Sequence, residues 1–130
     1  MRTFISWNVN GLRAVAKKGF LDWLHKHRYD VVALQETKIS ADTVLAEELK
    51  QIVGYTSHWD YAEEKKGYSG VACLVRSDFR PKKVTTRFSS GILSQEGRLI
   101  EIDFGAFVFF NVYFPNGKSG PARLRHKLDF

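Results

Sequence analysis

A run of four apolar residues at 31–34 is followed directly by the polar sequence QETK at 35–38, with no turn signal between them. An uninterrupted apolar run of this length predicts a strand that is buried on both faces. A second run at 107–110 is also apolar throughout, and it predicts another strand that must be covered on both faces. Such strands are typical of layered α/β proteins, in which helices and further sheets supply the cover.

Turn and apolar patterns divide the rest of the chain into short elements. A helix is predicted from Leu12 onward, with Gly19 as a point of interruption, and a second short helix runs through Leu45 to Val53. We expect that second helix to be capped by Ser40 or Asp42 and stopped by Gly54. Strands are predicted at 3–7, 29–35, 55–61, 69–76, 84–88, 98–103 and 107–113, and a last helix begins near Pro121.

The charge balance narrows the class of partner. The chain has 20 basic and 14 acidic residues, a net charge of +6 and a pI near 9.6. This surplus favours a polyanion such as nucleic acid, although a lysine-rich solvated surface explains it equally well. The single cysteine, Cys73, excludes an internal disulfide and indicates a reducing compartment, where it serves as a small buried hydrophobic residue. No apolar run approaches the length of a membrane span, so we expect no membrane partner and a cytoplasmic location.

Polar side chains follow three of the predicted buried strands, at the point where each strand ends. In layered α/β folds, ligands bind in the crevice beyond strand ends. One carboxylate with neutral amide oxygens suits Mg²⁺, while cations and a phenol bind phosphate oxygens. Taken singly, each residue has a plainer interpretation as a loop, turn or rim side chain. The residues in question are Asn8 and Asn10, Glu36 and Lys38, Tyr113 and Asn116, with Arg13 nearby.

Five motifs occur in one order along the chain: SWNVNGLRA (6–14), LQETK (34–38), GYSGVA (67–72), QEGR (95–98) and NVYFPNG (111–117). Their order and spacing resemble the exonuclease III-like abasic-site endonucleases of the endonuclease/exonuclease/phosphatase superfamily. The resemblance runs from Met1 into the last predicted helix. It implies the N-terminal half of a four-layered α/β sandwich, with two mixed β-sheets flanked by helices.

The resemblance also implies a Mg²⁺-dependent nuclease, with Mn²⁺ as an alternative metal. Its relatives cut double-stranded DNA on the 5′ side of abasic sites, and many remove 3′ blocking groups or nucleotides. Matched by position, the catalytic residues are Tyr113, Asn8 and Glu36. The metal-binding residues are Glu36, Asn8 and Asn10. The residues that approach the DNA or its phosphates are Arg13, Lys38, Tyr68 and Asn116.

Two segments of the family pattern do not occur in this chain. Relatives carry a Gly-Asp-x-Asn segment, whose Asp activates the attacking water, and a later Ser-Asp-His segment. The remaining candidates lack the motif context: Asp103, Asp129, His25, His27, His58 and His126. We therefore expect residues 1–130 to be the N-terminal part of a single domain, truncated in the helix after the strand that ends near Tyr113. Such a piece is expected to be nearly inactive alone and to self-associate through an uncovered sheet face.

Two other functions stay open. One is a phosphatase or RNA deadenylase of the same superfamily. The other is a non-catalytic basic DNA-binding module, supported by the basic residues Lys118, Arg123, Arg125 and Lys127.

Overall fold

A computed structural model describes residues 1–86, 96–118 and 120–130. Within these ranges, the chain forms seven strands and four helices, and the strands make two sheets. The elements are β1 (Phe4–Asn8), α1 (Leu12–Ala16), α2 (Phe20–His27), β2 (Val31–Gln35), α3 (Glu47–Lys50), β3 (Tyr55–Asp60), β4 (Val71–Arg76), β5 (Lys83–Thr85), β6 (Leu99–Asp103), β7 (Val108–Val112) and α4 (Pro121–Asp129).

The first sheet is mixed and the described strands of the second are antiparallel. Strand order is β1-β2-β4-β3 in the first sheet and β5-β6-β7 in the second. β1 and β2 are parallel, which requires a crossover connection, and α1 with α2 supplies it. The predicted α/β class is confirmed.

β2 lies at the centre of the packing, with apolar layers on both of its faces. Val32 and Leu34 pack on the helix side with Phe20 of α2. Val31 and Ala33 face the second sheet, in one cluster with Ile100 and Ile102 of β6. All four residues of the 31–34 run are at most 1% exposed, so the prediction of a strand buried on both faces is confirmed.

The helical stripe after Leu12 is divided into α1 and α2, as Gly19 indicated. Gly19 is the N-cap of α2 and has φ +95°, in the left-handed region that glycine enters without steric cost. The division lets α2 turn its own apolar side, with Phe20 and Leu24 buried, toward β2.

The limits predicted for the helix through Leu45 to Val53 are wrong: neither Ser40 nor Asp42 caps its start, and it ends at the C-cap Gln51, before Gly54. α3 spans only Glu47–Lys50, its N-cap is Ala46, and no side chain caps it. Ser40 instead donates its N–H to the Thr43 hydroxyl at 2.8 Å, and Asp42 pairs with Lys66. The Thr43 hydroxyl and the Asp42 carboxylate therefore stabilise the loop before α3, and neither Ser40 nor Asp42 caps that helix.

The expectation that 107–110 is covered on both faces is also wrong for the described residues. Val108 is 47% and Phe110 52% exposed, because they alternate along β7 with Phe109, which packs toward the first sheet, and so they lie on the opposite face. The predicted strand at 84–88 is β5, Lys83–Thr85; positions 87 and 88 lie outside the described residues. Among the described residues, no helix is both long and apolar enough to cross a membrane.

Asp30, just before β2, ties the start of β1 to the sheet and makes stability depend on pH. Its carboxylate accepts the Thr3 N–H at 2.8 Å and an Arg2 N–H at 3.0 Å. The Thr3 hydrogen bond is the main cause that lowers the pKa of Asp30, against the opposing effect of burial, and Arg2 and Arg76 lower it further.

We expect Asp30→Asn to lower the free energy of unfolding of the complete protein by about 1–3 kcal/mol at pH 7. Because the folded-state pKa is depressed, the wild-type advantage is fully present above about pH 4. It is lost as pH falls through the folded pKa. Urea unfolding from pH 7 to pH 2.5 checks this, with Asp22→Asn on the exposed side of α2 as control. A difference that does not shrink in acid would contradict the assignment.

Candidate active site

The carboxyl ends of β1 and β2 lie side by side, and backbone hydrogen bonds join the loops beyond them. Asn8 is in register with Gln35. Beyond it, Gly11 donates its N–H to the Glu36 carbonyl at 2.8 Å, and Leu12 donates to Thr37 at 2.9 Å. The first loop is therefore held directly against the QETK segment.

Four predicted site residues form one continuous set of contacts at this edge. The Asn8 side-chain oxygen accepts the Asn10 N–H at 3.0 Å. The Asn10 side-chain oxygen accepts from Lys38 Nζ at 2.8 Å. Lys38 Nζ lies 3.7 Å from Glu36 Oε1. The first two strand ends therefore converge, and the candidate residues that follow them lie in one place.

The backbone at this edge adopts the left-handed conformation, which residues other than glycine rarely adopt. Glu36 has φ +56° and Lys38 has φ +57°. Such positions cost about 1–3 kcal/mol each and persist where the surroundings hold them. Here the surroundings are in the GYSG segment, where the Gly70 carbonyl accepts the Thr37 N–H at 3.0 Å and the Ser69 carbonyl accepts the Lys38 N–H at 2.9 Å. This arrangement aims the Glu36 and Lys38 side chains from a fixed backbone.

The third strand end brings Tyr113 to Glu36. Tyr113 follows β7 directly, and its backbone N–H donates to the Arg98 carbonyl at 2.8 Å. Burial, the Glu36 charge and a hydrogen bond to Glu36 raise the pKa of Tyr113 above its ordinary value, in that order of size. The phenol is therefore neutral at physiological pH and acts as a hydrogen-bond donor.

The four residues predicted to approach DNA do not lie together. Arg13 and Lys38, with Asn10, line a cavity of about 660 Å³ beside Glu36. Tyr68 lies on the other side, next to Tyr113. Asn116 is exposed and its side-chain oxygen accepts the Lys118 N–H at 2.8 Å, so its described contact stabilises its own turn.

A buried arginine behind the site was missed in the sequence, although the QEGR motif contains it. Arg98 is 1% exposed. It is bonded to Glu96 and to Tyr68. From α4, Arg123 donates to the Tyr68 hydroxyl at 2.9 Å. The sequence signal that could have identified it is a basic residue immediately before an apolar strand, because a charged side chain buried there needs a partner of opposite charge. Gln95, the first residue of that motif, lies outside the described residues.

The donor set at Glu36 fits a weakly held Mg²⁺. A carboxylate and the amide oxygens of Asn8 and Asn10 are hard oxygen ligands, and each amide oxygen keeps a lone pair beyond its existing hydrogen bond. Across the described residues, no group of three or more His, Cys, Asp or Glu side chains is placed to hold a metal. One carboxylate suits an ion that keeps several waters and completes its shell with substrate phosphate.

Among the carboxylates and histidines that lacked motif context, Asp103, Asp129 and His126 make other contacts. Asp103 accepts the Gly105 N–H at 2.7 Å, and Asp129 pairs with Arg125 at 3.6 Å. His126 Nε2 lies 2.7 Å from Glu96 Oε1, behind Tyr68. Half-buried His58 lies on β3, opposite Cys73. Cys73 itself is fully buried, as predicted.

The fold and this site define a layered α/β protein whose strand ends present oxygen ligands, a cation and a phenol suited to a phosphate ester. The chain belongs to the Endonuclease/Exonuclease/phosphatase family, whose model matches residues 5–129.

Named relatives agree on the branch of that family. The chain is 39% identical over 123 residues to the DNA repair nuclease APEX1 of Danio rerio, covering 94% of this chain and 39% of that protein. It is 39% identical over 127 residues to an exodeoxyribonuclease of Bacillus subtilis, covering 97% of this chain and 48% of that protein. An AP endonuclease structure from Leishmania major superposes with a TM-score of 0.82 at 28% identity, covering 97% of this chain and 44% of that one. The chain spans at most about half the length of the curated relatives it matches.

Proposed function

We propose that residues 1–130 form the N-terminal part of the catalytic domain of a Mg²⁺-dependent DNA repair nuclease. The complete protein hydrolyses the phosphodiester on the 5′ side of abasic sites in double-stranded DNA, and it removes blocking groups or nucleotides from 3′ ends. The observation that carries the proposal is the series of contacts from Asn8 through Asn10 and Lys38 to Glu36 at one edge of the first sheet, with Tyr113 near enough for the Glu36 charge to raise its pKa. Its support from relatives is that they are named as abasic-site endonucleases and exodeoxyribonucleases.

Each side chain contributes a separate part of phosphate chemistry. Glu36, Asn8 and Asn10 would hold the metal, which would supply Lewis-acid polarisation of a phosphate oxygen. Tyr113, a neutral phenol at physiological pH, donates a hydrogen bond to a phosphoryl oxygen. The Asn8 amide nitrogen donates to the phosphate, while its oxygen accepts the Asn10 N–H and keeps a lone pair for the metal.

Cations around the site bind the rest of the nucleic acid. Lys38 and Arg13 neutralise neighbouring phosphates along the cavity rim, and Tyr68 and Asn116 contact the strand on the other side. The net charge of +6 favours a polyanionic substrate over a small neutral one.

Water activation is the function that we assign to another part of the complete protein. Asp103, Asp129 and His126 are engaged in other contacts. General-base catalysis is worth about 10²–10⁴-fold, so the 130-residue chain alone is expected to be nearly inactive. Its exposed Val108 and Phe110 favour self-association. That association stays a prediction, which sedimentation of the isolated chain tests. The cytoplasmic location also stays a prediction.

The proposal is tested by assaying the complete gene product on four substrates under matched conditions. The substrates are abasic duplex DNA, a 3′-phosphorylated duplex, inositol phosphates and polyadenylated RNA. We expect cleavage 5′ to the abasic site, release of the 3′ phosphate and loss of both with EDTA. Preference for inositol phosphates or polyadenylated RNA would favour the phosphatase or deadenylase alternative. Salt-sensitive DNA binding without cleavage would favour the DNA-binding module.

A further inference from the structure

Arg98 is a charged side chain sealed inside the protein, which is costly unless its donors are paired. Its Nε and Nη2 donate to Glu96 Oε2 at 3.0 and 2.9 Å. Nη2 also donates to the Tyr68 hydroxyl at 2.6 Å, and Nη1 donates to the Tyr113 carbonyl at 3.1 Å. Burial alone would raise the pKa of Glu96, but the Arg98 hydrogen bond and charge hold it below its ordinary value. The guanidinium is therefore matched by a carboxylate.

The two tyrosines of the candidate site lie on this one guanidinium. Its carbon is 5.3 Å from the Tyr68 ring centre and 5.0 Å from the Tyr113 ring centre, distances at which a cation is attracted to an aromatic ring. Arg98 also binds the Tyr113 main chain at both polar groups, since its own carbonyl accepts the Tyr113 N–H at 2.8 Å.

The position of Tyr113 makes such an anchor necessary. Tyr113 follows β7, which has a sheet neighbour on one side only among the described strands. Tyr113 lies one residue beyond the β6–β7 pairing, and Val108 and Phe110 on β7 are exposed, so packing on the outer face of that strand does not restrain it. A misplacement of about 1 Å costs on the order of 100-fold in rate.

We propose that Arg98 is a positioning residue, which fixes the Tyr113 backbone and the Tyr68 hydroxyl so that the Tyr113 phenol meets the scissile phosphate beside Glu36. Arg98 does not touch the substrate. The inference rests on the proposed function for its kinetic consequence, but the placement of Tyr113 is measurable without catalysis. Lysine cannot substitute, because it offers one point charge in place of a planar fork of five N–H donors.

The first experiment is a double-mutant cycle in the complete protein on abasic duplex DNA, using Arg98→Lys and Tyr113→Phe. We expect Arg98→Lys to lower kcat about 10–100-fold while KM changes less than about 3-fold. In the Tyr113→Phe background the same change should have little further effect, since the two residues act through one group. The proposal would be overturned if the effects of the two substitutions on kcat were fully additive, or if the kcat of Arg98→Lys were within about 3-fold of wild type.

Arg76→Lys is the matched control. Arg76 also donates to a backbone carbonyl, that of Arg28, and pairs with the carboxylate of Asp78, but it lies at the opposite end of β4 from the GYSG segment. We expect it to leave kcat unchanged. An equal kcat loss in Arg76→Lys would show that losing any such arginine is sufficient, and would overturn the specific role.

The second experiment reads tyrosine placement by NMR of ¹³Cζ-labelled tyrosine in the complete protein. We expect the Tyr113 signal to shift and broaden in Arg98→Lys and to stay unchanged in Arg76→Lys. If Arg98→Lys does not fold, Glu96→Gln replaces it, because it loosens the same guanidinium while preserving volume, and the same signal change is expected. If wild type does not cleave DNA, the proposed function fails, while this signal still decides the positioning role. An unchanged Tyr113 signal overturns it.

Discussion

Replacing Glu36 with glutamine is expected to lower kcat of the complete protein on abasic duplex DNA by about 10²–10³-fold or more. Glu36 is the carboxylate at which Lys38 and Tyr113 meet. Glutamine has nearly the same volume as glutamate and offers an amide oxygen, but it lacks the negative charge that a hard divalent cation requires. Single-turnover cleavage measured across a Mg²⁺ titration separates lost metal affinity from lost chemistry at saturation. The matched control is Glu47→Gln, an exposed carboxylate on α3, which should retain wild-type kcat.

The same substitution has a readout that does not depend on activity. Because the Glu36 charge contributes to the raised pKa of Tyr113, Glu36→Gln is expected to move that pKa down toward its ordinary value. Burial, the larger cause, remains, so the shift is incomplete. Tyrosine titration followed by NMR measures it. Full cleavage at saturating Mg²⁺ together with an unmoved Tyr113 pKa would remove Glu36 from the site.

The residues of the site that could be predicted from sequence are those that directly follow a strand recognisable from its own local pattern. The 31–34 run predicts a strand buried on both faces because no polar residue interrupts it. A strand held in this way fixes the direction of the next residues along the chain, and Glu36 and Lys38 are among them. Asn8 reaches them because β1 and β2 are parallel and end at one edge.

The contacts that escaped prediction join distant segments of the chain. Tyr68 precedes Arg98 by 30 residues, and Tyr113 comes 15 residues after it. No spacing in the chain reports that these groups share one guanidinium. The exposure of Phe110 escaped for a related reason: an apolar run shows that cover is favourable, but whether a distant segment packs on the outer face of the second sheet is not written in the run itself.

Gly97 lies between Glu96 and Arg98, and it links their network to the loop behind Lys38. Its carbonyl accepts the Gly70 N–H at 3.1 Å and the Ser69 hydroxyl at 3.2 Å. Its φ is +61°. A Cβ there would lie 2.4 Å from the Tyr61 carbonyl carbon, a backbone atom that cannot swing aside.

Gly97→Ala is therefore expected to lower the free energy of unfolding of the complete protein by about 2–5 kcal/mol. Left-handed strain contributes about 1–2 kcal/mol and overpacking against fixed backbone about 1–3 kcal/mol. Gly67→Ala is the matched control, because its φ of +64° carries the same strain while its Cβ would meet nothing within 4 Å. It should cost only about 1–2 kcal/mol. Urea unfolding at pH 7 with an unchanged m-value makes the comparison.

The difference between the two alanine variants isolates the contact with the 61–62 backbone from the conformational cost that both share. Relief of that contact must move either the 61–62 segment or the segment that carries Arg98. In the second case the Tyr113 anchor moves with it, so Gly97→Ala should also lower kcat at temperatures where the protein stays folded. Equal destabilisation by the two substitutions would show that the close approach at Gly97 carries no cost, and that the backbone behind Arg98 is looser than its hydrogen bonds indicate.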